Sequence, residues 1–246
     1  MNHLNRKFKS VDKIINKNIF QKIIFIIRKI FDLDIFDLVN DYEEYHKFIS
    51  TNSIYRAKII SSWIPTGKKI LDLGCGSGFI AAYLKINNNA SVTGIDISKT
   101  AIIKARKKGI NCMQMNLNEK IKLKEKYDYI ILSEVIEHLM QPEKVLKQIR
   151  KYAKKGIIIT IPNSAWFVYR LQLLMGHFPR QSWTHTHFWS HSDFKRFCKY
   201  VNLEIINFKI IKPREWLLKK IMVLWPNMFS PQLCYLLTPK KLIEEK

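Results

Sequence analysis

Apolar residues at helical spacing open the chain. Val11, Ile14, Ile15, Ile19, Ile23, Ile26, Ile27 and Ile30 recur three or four positions apart with lysines and Arg28 between them, which predicts an amphipathic helix. A second helix is predicted after the cap pair Asn40-Asp41, running past Tyr45, Phe48 and Ile60 towards Trp63 and ended by Pro65-Thr66-Gly67. From Lys68 the pattern changes to short apolar runs that alternate with helical segments. The runs Lys69–Leu73, Ser91–Ile95, Asn111–Met115, Tyr127–Leu132, Gly156–Ile161, Leu203–Ile210 and Leu233–Leu237 read as strands, with helices over Phe79–Lys85, Lys99–Lys108 and Glu143–Tyr152. Strands joined through helices predict βαβ units and a parallel sheet, hence an α/β fold. The division expected is an N-terminal helical extension and cap over 1–66 and one domain over 67–246, with insertions at 163–192 and 213–231.

Composition narrows the class. At 246 residues and 47% hydrophobic, the chain can bury a full core. The net charge of +22 would attract polyanions, but it is spread along the chain; it is read as solvated lysine faces, and nucleic acid is not taken as a partner. The apolar stretch Ile19–Phe36 is broken by Lys22, Arg28, Lys29, Asp32 and Asp34, which predicts neither a signal peptide nor a membrane span. Cys75, Cys112, Cys198 and Cys234 lack paired spacing, so reduced thiols and a cytoplasmic location are expected. The N-terminal helix would pack on its own domain, on a second copy in a homodimer, or peripherally on the inner face of the membrane.

The candidate chemistry begins at Asp72-Leu73-Gly74-Cys75-Gly76-Ser77-Gly78, between the first strand and the following helix, where glycines let the backbone turn tightly and approach a ligand. Asp72 stands two positions before the first glycine and no Walker lysine follows, so the loop suits a cationic ligand rather than phosphate. Asp96 ends the second strand at the spacing that serves a ribose diol, with Ile97 next to it to cover an adenine face. Asn116 and Leu117, after the third strand, are positioned for the adenine edge.

This order of elements, continued by Tyr127–Leu132, resembles the class I S-adenosylmethionine-dependent methyltransferases from about Lys68 to Ile211. The resemblance implies a Rossmann-like three-layer sandwich with a seven-stranded, mostly parallel sheet and an antiparallel last strand. It implies S-adenosylmethionine as the methyl donor, held by Arg56, Asp72, Gly74, Gly76, Gly78, Asp96, Ile97, Asn116, Leu117 and Ser133. Arg56 matches an arginine that reaches the donor's carboxylate in some relatives, whereas the adenine-edge position, often Asp in the family, is Asn116 here.

After the fourth strand comes Ser133-Glu134-Val135-Ile136-Glu137-His138, which resembles MetW-like proteins, ubiquinone-pathway O-methyltransferases and small-RNA 3′-terminal 2′-O-methyltransferases. In the last group the two glutamates, the histidine and a downstream histidine hold a divalent metal, and His187 is the best placed match among His185, His187 and His191. The apolar insertion Trp166–Gly176 resembles the MetW-like group more and implies an aromatic acceptor pocket. The reading taken is therefore a metal-free site, with Glu137, His138 and His187 catalytic through hydrogen bonds and proton transfer. The expected activity is O-methylation of a small-molecule or lipid-linked acceptor. Two alternatives stand beside it: metal-dependent methylation of RNA 3′ ends, and a MetW-like accessory protein that binds a biosynthetic enzyme. The segment Pro213–Pro231, rich in Trp and Leu, would add a second amphipathic surface for a membrane or for self-packing.

Overall fold

The computed structural model describes residues 53–176, 178, 184–211 and 225–239. The helix expected over Val11–Ile30, the start of the second helix, Trp183 and most of Pro213–Pro231 lie outside these residues. Within them, seven strands form one sheet: β1 (Lys69–Leu73), β2 (Ser91–Asp96), β3 (Asn111–Gln114), β4 (Tyr127–Ser133), β5 (Ala153–Pro162), β6 (Leu203–Ile211) and β7 (Gln232–Pro239). Their order is β3-β2-β1-β4-β5-β7-β6. The pairs β1–β2, β1–β4, β2–β3 and β4–β5 are parallel, while β7 runs antiparallel to both β5 and β6. This is the mostly parallel sheet with a reversed last strand that the sequence pattern and the resemblance implied.

Alternation along each strand builds two cores. Leu71, Leu73, Ile130 and Leu132 join one apolar cluster, and Ile70, Tyr129, Ile131 and Ile158 join the other. Neighbouring residues of a strand point to opposite faces, so both faces of the sheet must be covered. The helices α1 (53–61), α2 (Phe79–Asn87), α3 (Lys99–Lys107), α4 (Pro142–Ile149) and α6 (His191–Tyr200) accompany the sheet. Local chemistry starts them: Ser98 accepts from the Ala101 N–H ahead of α3, and Ser190 and Asp193 form a capping box on α6. The helix expected to run to Tyr152 ends at Ile149, and a 3-10 turn covers Arg150–Tyr152. The intervening α5 (Phe167–Leu174) belongs to a second compact unit; it buries Val168 and Gln172 and exposes Leu173 and Leu174. No helix among the described residues is long and apolar enough to cross a membrane.

The core extends to the N-terminal side of residue 67, because Ile60 and Ile64 are buried in the second cluster. Asn88 ties α1 to the domain: its buried amide donates to the Ile64 carbonyl at 2.6 Å and to the Ser61 carbonyl at 3.1 Å, and its Oδ1 accepts from Ser61 Oγ at 2.6 Å. Asn88→Ala leaves the buried Ile64 carbonyl without this donor, while the Ser61 carbonyl keeps the Ile64 N–H, at a cost of about 1–3 kcal/mol. The expected outcome is a lower urea midpoint with an unchanged slope, read by equilibrium unfolding.

Candidate active site

Four strand ends converge on one edge of the sheet. The β1–β2 and β1–β4 registers set Asp72 opposite Gly94 and Ile131, and β1 then turns into α2 through the glycine loop. Gly74 has φ +71°, and a Cβ there would lie 2.4 Å from Val135 Cγ2, so the turn admits only glycine. Gly76 and Gly78 are also left-handed. Asp96, ending β2, accepts from the Gly76 N–H through Oδ2 at 2.8 Å and from the Ser98 N–H through Oδ1 at 2.8 Å. Each carboxylate oxygen keeps a second lone pair. The loop and the strand end are thereby locked to one another, with an acceptor left for two ligand hydroxyls.

Asp72 is 1% exposed, and its Oδ2 has no hydrogen-bond partner among the described residues. Burial first, and then the charge of Asp96, push its carboxyl up to about 7. Ile97 is 61% exposed beside Asp96 and presents an apolar face to solvent. Asn116 makes an Asx turn, accepting from the Asn118 N–H and donating to Glu119 Oε1, and Leu117 is buried in the first core. Ser133 Oγ lies 3.0 Å from Thr160 Oγ1.

Beyond β4 the two glutamates have different surroundings. Glu134 adopts φ +56°, and its carboxylate accepts from Thr160 Oγ1 at 3.0 Å and Gln232 Nε2 at 3.0 Å while pairing with Arg56 Nη1 at 3.7 Å. Arg56 thus reaches the site from α1 but meets Glu134. Glu137, in the 3-10 turn Ile136–His138, is fully buried, and neither carboxylate oxygen has a partner among the described residues. Burial and then the charge of Glu134 raise its pKa. Next to it, His138 Nδ1 lies 3.1 Å from the Thr184 carbonyl.

The downstream loop is clamped on this turn, since the N–H groups of Thr186 and His187 both donate to the Glu137 carbonyl. The clamp brings His185 to the site: its ring centroid is 4.7 Å from that of His138, and ligand atoms of Glu137, His138 and His185 all lie within 4.8 Å of one another. Burial, and then His138, push His185 down to about 4. His187, the histidine preferred from the sequence, stacks on Trp189 with centroids 5.6 Å apart, and His191 pairs with the Tyr235 hydroxyl at 2.9 Å. Only the local H-x-H spacing flagged His185, and the loop path decides between its two histidines. A cleft of about 590 Å³ is lined by Asn118, Glu119, Lys120, Met140 and Lys144, next to Asn116, whose amide donates to Glu119 Oε1.

The profile of the family described as "Methionine biosynthesis protein MetW" matches residues 56–237. The chain belongs to the MetW family. It is also 32% identical over 166 residues to a ubiquinone biosynthesis O-methyltransferase of Rickettsia prowazekii, covering 62% of this chain and 65% of that protein. A namesake from Azoarcus sp. is 25% identical over 158 residues, covering 57% and 66%. The chain thus matches just under two thirds of these relatives' length. Among solved structures, magnesium protoporphyrin IX methyltransferase from Synechocystis PCC 6803 with bound SAH superposes with a TM-score of 0.61 at 17% identity, over 92% of this chain and 98% of that one. A putative methyltransferase in complex with the Haloferax volcanii Trm112 activator gives 0.60 at 14%, over 80% and 95%. This MetW-family chain has the class I S-adenosylmethionine-dependent methyltransferase fold.

Asp72 supplies a test of the cradle. A carboxyl whose pKa is raised on folding binds its proton more tightly in the folded chain, so it loses the unliganded fold stability as pH rises from the ordinary carboxylate range through about 7. Asp72→Asn removes that loss and should raise the thermal midpoint of the unliganded protein at pH 8 by roughly 2–8 °C. The same variant should lose the stabilisation that S-adenosylhomocysteine gives the parent. A lower midpoint together with an intact ligand shift would contradict this account of Asp72.

Proposed function

We propose that this chain transfers a methyl group from S-adenosylmethionine to a hydroxyl oxygen of a small-molecule or lipid-linked metabolite. One observation carries the donor assignment: the unpartnered buried carboxylate of Asp72 beside an Asp96 whose two oxygens are fixed by backbone N–H groups. A cation satisfies the first and a diol the second, and S-adenosylmethionine has an ammonium and a ribose. Asp72, Asp96, the glycine loop and Ile97 would hold it, with Asn116 at the adenine edge. When bound, the donor supplies an electrophilic methyl on a sulfonium, whose C–S bond breaks as the C–O bond forms.

The residues of this chain then have three tasks. Arg56 and Glu134, joined as an ion pair, shape the donor end of the cleft. The Glu137, His138 and His185 cluster receives the acceptor hydroxyl, and its proton must leave before or as the oxygen is methylated. The loop clamped on Glu137 holds the histidines in place, which matters for a displacement that depends on alignment. The O-methyltransferase names of the relatives support oxygen as the acceptor atom, and the exposed aromatic Phe188 of the loop supports an apolar acceptor.

Two measurements test this reading. Asp96→Ala should weaken S-adenosylhomocysteine binding by about 1–3 kcal/mol in calorimetry by leaving the ribose hydroxyls unpaired, and unchanged affinity would remove Asp96 from the donor site. Methyl label transferred from S-adenosylmethionine into a crude lysate should appear in the lipid or small-molecule fraction, and His138→Ala should reduce that transfer more than it reduces S-adenosylhomocysteine affinity. Label confined to RNA would overturn the acceptor class. Binding of S-adenosylhomocysteine with no transfer to any fraction would favour an accessory role.

A further inference from the structure

An asparagine at the edge of a ligand site is ambivalent. Its amide offers an acceptor on one side and donors on the other, and a half turn about its last bond exchanges them. Asn116 therefore reads a base edge in one sense only if its surroundings fix that turn. The sheet fixes where it stands: β2 and β3 pair in parallel with Asp96 opposite Gln114, the Met115 N–H donates to the Asp96 carbonyl at 3.0 Å, and Gln114 Nε2 donates to the Ile97 carbonyl at 3.0 Å. Asn116, next in the chain and half-buried, is thus held beside the strand end that carries Asp96 and Ile97.

Both ends of its amide are engaged. Oδ1 accepts from the Asn118 N–H at 3.0 Å, and Nδ2 donates to Glu119 Oε1 at 3.1 Å. A backbone N–H can only donate and an ionised carboxylate can only accept, so the two partners favour the same orientation of the amide and oppose the reverse. Turning it over would set N–H against N–H and oxygen against carboxylate, replacing two attractions with two repulsions. The partners are themselves anchored. The Glu119 N–H donates to the Asn116 carbonyl at 3.2 Å, which folds the turn back on itself, and Asn118 Oδ1 accepts from the Met140 N–H at 2.9 Å, which ties the turn to the segment after β4.

From this geometry we infer that Glu119 is a positioning residue that holds Asn116 as a hydrogen-bond acceptor, and so selects a nucleoside donor whose base edge carries an amine over one that carries an oxo group. Asn116 Oδ1 has one lone pair on the Asn118 N–H and keeps the other for a ligand. An exocyclic amine donates to that lone pair, whereas an oxo group meets it with a second acceptor and is repelled. Glu119 touches Asn116 and not the base, and its effect is on selectivity. This inference deepens the proposed function and rests on it for the placing of the nucleoside.

The test measures, by calorimetry on the full-length protein, the affinities for S-adenosylhomocysteine and for S-inosylhomocysteine, in which an oxo group replaces the adenine amine. The parent should prefer the adenine compound by about tenfold or more. Glu119→Ala frees the Asn116 amide to turn its N–H groups towards the oxo group, so the preference should fall by about threefold or more, in part through tighter binding of S-inosylhomocysteine. Adding Asn116→Asp to Glu119→Ala should restore the preference, because a carboxylate has acceptors only and needs no partner to orient it. Thermal midpoints of the unliganded variants report that each is folded, and a merely structural role for Glu119 would change the midpoint without changing the ratio of affinities. An unchanged ratio in folded Glu119→Ala, or a double variant that stays unselective, overturns the role of Glu119 and leaves the donor assignment standing. A parent that binds neither compound overturns the donor assignment and this inference with it.

Discussion

Carboxyl groups kept out of water dominate the carboxyl edge of this sheet. Asp72 is buried at the end of β1, and Glu134 and Glu137 follow β4, its neighbour in the sheet. Burial raises the pKa of all three, so each stands in a place where its charged form is unfavourable without a partner. Glu134 has one in Arg56. Asp72 and Glu137 have none among the described residues. Such positions cost stability and persist where a ligand later supplies the missing charge.

The aliphatic sheet makes that cost tolerable. Ile70, Leu71, Leu73, Ile95, Ile130, Ile131, Leu132, Ile157, Ile158 and Ile159 are all fully buried, and each such side chain contributes roughly 1.5–3 kcal/mol relative to exposure. Parallel pairing is the reason these strands are apolar on both faces and the reason their carboxyl ends align on one edge. A core of this kind is rigid enough to hold a left-handed Glu134 and a glycine turn against Val135 without relaxing them. Exposed connections, in contrast, are where folds of this kind generally vary. This explains why distant relatives share the sheet at 14–20% identity while bearing different names.

Backbone hydrogen bonds do as much as side chains in assembling the site. The Gly76 and Ser98 N–H groups fix Asp96, and the Thr186 and His187 N–H groups fasten the downstream loop to the Glu137 carbonyl. The second fastening is reinforced by Thr186 Oγ1, which donates to the carbonyls of Glu137 and Leu139. The loop therefore depends on a turn that is distant in the chain, and the turn's own buried carboxylate sits beneath the histidine that the loop delivers.

Signals carried by neighbours in the chain were legible in the sequence alone. Two-residue alternation marked the strands, an acid followed by glycines marked the tight turn after β1, and Asp96 followed from its place at a strand end, because each depends on backbone geometry within a few residues. The run of Glu134, Glu137 and His138 was visible for the same reason. Partners far apart in sequence were decided only by the fold: Arg56 with Glu134 rather than with open space, and His185 rather than His187 beside Glu137. Two histidines one residue apart look equivalent in a sequence. The path of the loop clamped on the Glu137 carbonyl sends one ring to Glu137 and the other to Trp189, and that path is set by hydrogen bonds across almost fifty residues of chain.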